Sequence, residues 1–157
     1  MANSSSFLRT YKYRLYPTRA QQQRLEQTLD CARNFYNMCL AERKWAWKLE
    51  RRSVTKTEQL RQVKHYKRTF PQARDVHSHV LQVAVADLDK AFQAFFRRVK
   101  AGEKPGYPRF KGKGWYDSFG LKEYGNGFSI GDDSPRSSGK LLRARTSQRS
   151  TFCPDGP

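Results

Sequence analysis

Asp87–Lys113 reads DLDKAFQAFFRRVKAGEKPGYPRFKGK. Leu88, Ala91, Phe92, Phe95, Phe96 and Val99 recur at i, i+3, i+4 and i+7, the spacing of a helix with one buried face. Arg97, Arg98 and Lys100 close that helix with cations, which its dipole favours at the C-terminus. Gly102 stops it, and Pro105-Gly106-Tyr107-Pro108 forbids its continuation. Beyond the turn, Arg109-Phe110-Lys111-Gly112-Lys113 alternates cations with aromatic or glycine residues. Between Arg97 and Lys113 seven Lys/Arg stand against one acid, Glu103, so the stretch presents positive charge to a polyanion.

Upstream, Ser78 is an N-cap residue type, and Leu81, Ala84 and Val85 extend the apolar stripe back to it. One helix is therefore expected over Ser78–Lys100. A weaker one begins at Thr57, with Leu60, Val63 and Tyr66 or Lys67 on one side. It ends before Phe70-Pro71, because the residue preceding proline resists the helical region. A long first helix is expected from about Arg19 to Lys48, capped by Thr18, on a stripe of Leu25, Leu29, Ala32, Tyr36 and Cys39 or Leu40. Trp45 and Trp47 near its end read as packing residues, with base stacking as the alternative. Phe7–Tyr16 alternates aromatic or aliphatic residues with cations at the period of a half-buried strand that Pro17 ends. Trp115–Leu121 and Phe128–Ile130 read as short strands, with a turn at Gly125-Asn126-Gly127. From Ser134 onward periodicity is lost and a solvated basic tail is expected.

The chain has 157 residues, 31 Lys plus Arg against 14 Asp plus Glu, and a net charge of +17. That excess exceeds what solubility requires and points to nucleic acid. No run approaches the roughly 20 apolar residues of a spanning helix, so no membrane partner is expected. No signal peptide is visible at the N-terminus, which makes a cytoplasmic location the expectation. Cys31, Cys39 and Cys153 form no CxxC pair and read as small hydrophobes. His77 and His79, two apart, do not share a helix face, and no carboxylate or thiol pair joins them or His65. No metal, cofactor or general acid/base pair is expected.

Several blocks resemble, in order, the start of the TnpB/OrfB family of insertion-sequence (transposon)-encoded RNA-guided nucleases. They are Tyr13-Arg14-Leu15-Tyr16-Pro17-Thr18 with Gln21 and Leu25; Ala32-Arg33-Asn34-Phe35-Tyr36-Asn37; Leu88-Asp89-Lys90-Ala91-Phe92-Gln93-Ala94-Phe95-Phe96; and Gly106-Tyr107-Pro108-Arg109-Phe110-Lys111. The resemblance implies an α+β fold, mainly helical. A three-helix, helix-turn-helix-like recognition bundle is inserted after the first strand of a small, incomplete β-barrel, the wedge domain. The implied division is a disordered N-terminus over 1–6, the first wedge strand over 7–17, the helical domain over 18–100, a return to the barrel over 101–133, and a disordered basic tail over 134–157. The family's RuvC-like catalytic domain, with three carboxylates for magnesium, has no counterpart after Asp133, where Asp155 is the sole acid. Two-metal cleavage needs converging carboxylates, so no catalytic residue is expected, and the tail resembles a shifted frame or an early ending.

Arg14, Arg33, Arg109, Lys111 and Lys113 are the candidates for phosphate contacts, since guanidinium and ammonium groups grip phosphate and position a strand. Tyr107 and Phe110 read as buried, with stacking on bases as the alternative. Ser78 and Gln82 start a helix whose N-terminus favours anions, and glutamine can read adenine edges. The resemblance puts this region near the short motif flanking the DNA target. The expected partners are structured guide RNA and duplex DNA, held without cutting. Three alternatives stay open: one subunit of a split endonuclease with a separate RuvC-like chain, a helix-turn-helix DNA-binding transposase regulator, and a decayed gene product.

Overall fold

The computed structural model describes residues 14–123 and Asn126. Three α-helices carry it: α1 (Arg19–Glu50), α2 (Lys56–Thr69) and α3 (Ser78–Lys100), with a one-turn 3₁₀ helix at Pro71–Ala73. Two capping boxes start the first pair. Thr18 Oγ1 accepts from the Gln21 N–H while Gln21 Oε1 accepts from the Thr18 N–H at 2.9 Å, and Thr55 and Glu58 repeat the arrangement on α2. The same bonds hold the exposed Glu58 carboxyl below its ordinary range, the Thr55 backbone N–H first among them. His77, rather than Ser78, caps α3: its Nδ1 accepts from the His79 N–H at 3.2 Å, leaving Ser78 as the first helical residue. Gly102, at φ 68°, ends α3 in the left-handed region that glycine enters without strain.

The helices zigzag. Gln27 and Cys31 of α1 touch the Gln72 carbonyl just before α3, whereas Arg43, further along α1, reaches Asp89 at the middle of α3, so α1 and α3 run parallel. α1 and α3 pack directly on each other, and α2 runs back beside them, with Gln59 against Cys39 and Tyr66 against Phe35. The core is Cys31, Ala32, Phe35, Tyr36, Cys39 and Leu40 of α1, Val63 and Tyr66 of α2, and Val80, Leu81, Ala84, Val85, Leu88 and Phe92 of α3. Each fully buried aliphatic or aromatic side chain there contributes about 1.5–3 kcal/mol. Burial raises both described thiols, Cys39 to about 12, so they act as small hydrophobes.

After α3 the chain returns antiparallel across the α1/α3 face. Tyr107 meets Phe92 and Phe95, the Lys111 backbone meets Asn37, Tyr116 meets Tyr36, Gly120 meets Val83, and Lys122 meets Gln82.

The expected α+β architecture is corrected: among the described residues there is no strand, sheet or barrel, and the fold is helical. Residues 14–17, the described part of the first expected strand, form no strand and are exposed. The return segment takes no ladder partner because the helices supply what a strand would. The Asn37 carboxamide donates to the Lys111 carbonyl at 2.9 Å and accepts from its N–H at 2.8 Å. Tyr116, Phe119 and Leu121, within the expected strand Trp115–Leu121, pack on the helical core instead. The expected features within 1–13, the strand at Phe128–Ile130, Cys153 and the tail over 134–157 lie outside the described residues.

Gln59 is fully buried, donating through Nε2 to the Cys39 carbonyl at 2.8 Å and to Glu42 at 2.9 Å, and accepting from Arg43 Nε at 2.8 Å. Replacing it by leucine takes one partner from each of those groups, although Glu42 keeps Gln62 and Arg43 keeps Asp89, at a cost of about 1–3 kcal/mol for each buried atom left unsatisfied. Urea unfolding of Gln59→Leu is expected to show a lower midpoint at unchanged slope.

Candidate nucleic-acid interface

Two cationic surfaces emerge, at different levels of the bundle. The first is a groove of about 610 Å³ between α2 and the start of α3, lined by Leu60, Val63, Lys64, Lys67, Arg68, Arg74, Ser78 and Gln82. Its lining holds four cations and no carboxylate. The N-terminal end of α3 adds positive partial charge. Lys67 Nζ donates to Ser78 Oγ at 3.5 Å, and Lys122 Nζ donates to Gln82 Oε1 at 3.1 Å, bringing a fifth cation from the return segment. Burial pushes the His77 imidazole below its ordinary range, and His79 and Lys67 push it further.

The second surface follows α1 and the return segment. Asn37 pins Lys111, and Lys44 Nζ stands 5.8 Å from the centre of the Phe110 ring. Arg109 and Lys113 flank that point and are exposed. Phe110 and Tyr107 are 52% and 44% exposed, which corrects their expected burial. Trp45 and Trp47 are likewise 49% and 55% exposed rather than packed, because α1 outruns the core by more than two turns.

The sequence candidates thus fall into groups. Ser78 and Gln82 share the groove; Arg109, Lys111 and Lys113 share the return segment. Arg14 lies exposed before α1 with its guanidinium 5.5 Å from the Tyr16 ring, and Arg33 is turned onto Asp30 at 3.0 Å. No hydrogen bond or ion pair among the described residues joins either of them to the two groups. The sequence reading passed over Lys64, Lys67, Arg68 and Arg74. The i, i+3, i+4 spacing of the first three was the available signal, since it places them on one helix face. Asp87 and Asp89 pair with Lys90 and Arg43. Among the described residues no three of His, Cys, Asp and Glu gather as a metal site requires, and no helix is long and apolar enough to cross a membrane.

Residues 5–52 match the helix-turn-helix domain of the OrfB/IS605 type. A Streptomyces pristinaespiralis protein, named as a candidate RNA-guided DNA endonuclease, is 36% identical over 107 residues. This is the N-terminal region of the TnpB/OrfB family. The alignment covers 67% of this chain and 25% of the Streptomyces protein. In the TnpB/OrfB chain the domain match takes in α1 and its C-terminal turn, while α2 begins beyond it. A helix–turn–helix in the geometric sense therefore needs α2 as its second helix.

Asn37→Ala frees both backbone groups of Lys111. The three helices are expected to stay folded while trypsin cleaves faster at Arg109, Lys111 and Lys113, which limited proteolysis with mass analysis reads directly. For His77, the folded-state pKa lies below the unfolded one, so the unfolded chain binds protons first as pH falls. Its contribution is present above about pH 6.5 and is lost below it. The thermal midpoint is expected to drop between about pH 7.5 and 5.5, and to drop less in His77→Asn, whose carboxamide can still cap α3.

Proposed function

We propose that this chain is the nucleic-acid-binding module of a transposon-encoded TnpB/OrfB-like protein, gripping the phosphates of target DNA and guide RNA without cutting them. The observation that carries the reading is the groove at the start of α3, where four cations line the wall and no carboxylate opposes them. Phosphate oxygens suit such a wall on both counts: lysine supplies point charge and arginine a planar fork, in a cleft that already carries the positive end of a helix. Duplex DNA is the assigned occupant of the groove, with Ser78 and Gln82 facing its edge. The Gln82 carboxamide keeps its N–H₂ group to donate to a base while Lys122 bonds its oxygen. Arg109, Lys111 and Lys113 serve the guide RNA through its backbone. Cleavage, in this reading, belongs to the part of the Streptomyces protein that the match does not reach.

The reading predicts steep salt dependence. Filter binding of a short duplex across several salt concentrations is expected to give a log–log slope that falls by about one for each phosphate-contacting cation removed. Lys67→Ala/Arg68→Ala should therefore weaken binding across sequences and flatten the slope by about two. An unchanged slope would remove the groove from the interface.

A further inference from the structure

The C-terminal half of α1 carries a feature that phosphate gripping leaves unused. Asn37, Lys44, Lys48 and Arg51 recur at intervals that keep them on one helix face, with Trp47 beside them. The row from Asn37 to Arg51 is roughly 20 Å long at helical rise. The return segment lies along the same face: Lys111 at the Asn37 level, then Phe110 at Lys44. The result is an interleaved row of exposed rings and cations. Phe110 and Trp47 supply its rings, with Lys44 and Arg51 each 5.8 Å from the respective ring centre; Trp45, two residues from Trp47, lies off this face, where Lys48 reaches its ring at 5.0 Å. The two carboxylates of this half-helix are engaged elsewhere, Glu42 with Gln59 and Gln62, and Glu50 with Arg52.

Two further observations set this row apart from an ordinary solvated helix end. Exposed aromatics on their own are of little consequence, but rings set among cations along one face mark a contact surface. Arg51 also holds φ 55°, and it is the one non-glycine residue of the described chain in the left-handed region. Glycine is the usual occupant of such a helix end. An arginine there accepts backbone strain of about 1–2 kcal/mol and sets its guanidinium over Trp47.

We propose that this α1 face, with Phe110 of the return segment, is a stacking track for an unpaired nucleic-acid strand, taking bases on Trp47 and Phe110 and phosphates on Lys44, Lys48 and Arg51. It rests on the reading of the chain as a nucleic-acid binder and gives the second surface a preference of its own. Bases inside a duplex present edges, not faces, so exposed ring planes select strands whose bases are already unstacked. Each base–ring contact is tolerant of sequence because every base has a π-face. The neighbouring cations confine the backbone to the row. The groove at α3 is left to the duplex.

The experiment compares an oligothymidylate of about twelve nucleotides, within the range of site sizes such tracks take, with a duplex of mixed sequence. Trp47→Leu and Phe110→Leu keep apolar bulk at exposed positions and remove the ring plane. Each is expected to weaken oligothymidylate binding about tenfold, with duplex affinity and the salt slope unchanged, while Trp47→Phe keeps most of the affinity. Parent-like oligothymidylate binding by the double leucine variant would overturn the track, as would an equal loss on the duplex or no oligothymidylate binding by the parent. Lys67→Ala/Arg68→Ala reports on the groove separately: duplex affinity that survives it sinks the groove reading while the oligothymidylate result still decides the track.

Discussion

One buried carboxamide, that of Gln59, sets how the three helices meet. α2 is short and mostly polar, and its apolar contribution to the core is little more than Val63 and Tyr66, so packing alone would leave its rotation loosely fixed. Gln59 removes that freedom by bonding the Cys39 carbonyl, Glu42 and Arg43 together. Arg43 then carries the link to α3, reaching Asp89 at 3.2 Å and lying 5.0 Å from the Phe92 ring centre. A buried polar network of this kind is costly unless every member is satisfied. Once satisfied, it admits one arrangement of the helices. Arg43 is thereby withdrawn from the cations available to a ligand.

With the helices fixed, the remaining charge separates by level. The groove between α2 and the start of α3 gathers Lys64, Lys67, Arg68 and Arg74, and Lys122 arrives there from the return segment. At the opposite end the C-termini of α1 and α3 lie on the same side because the two helices are parallel. Their last turns carry Lys48, Arg97, Arg98 and Lys100, which oppose two adjacent negative dipole ends. Some of the excess positive charge therefore serves the fold, and the rest faces outward.

The helices were legible because their signals are local. The apolar stripe of α3 and the glycine at its end need no partner to be read, and Thr18 marks the start of α1; α2 begins at Lys56, capped by Thr55, one residue before the expected Thr57. The strand expectation failed where a short apolar run has two physical readings. Trp115–Leu121 is short and aromatic-rich, but Tyr116, Phe119 and Leu121 spend those side chains on a helical surface rather than a sheet. Nothing near Asn37 in the sequence announces that its side chain will hold Lys111. The same holds for Trp45 and Trp47: an aromatic pair on an amphipathic helix reads as core, and only the length of α1 beyond its neighbours exposes it. Ser78 and Gln82 were visible as the start of a helix, whereas the cations facing them from α2 required the packing of two elements.

The Asn37–Lys111 pairing also bears on the order in which the molecule assembles. Its partners are separated by 74 positions, and closing so long a loop is entropically unfavourable until something else has drawn the ends together. The α1–α2–α3 zigzag is built from short connections and can form first. Its completed surface then receives the returning chain as a last, shallow folding unit. Arg109, Phe110 and Lys111 thus acquire their places late and lose them early, so amide exchange along this strap should open well before the helical interior does.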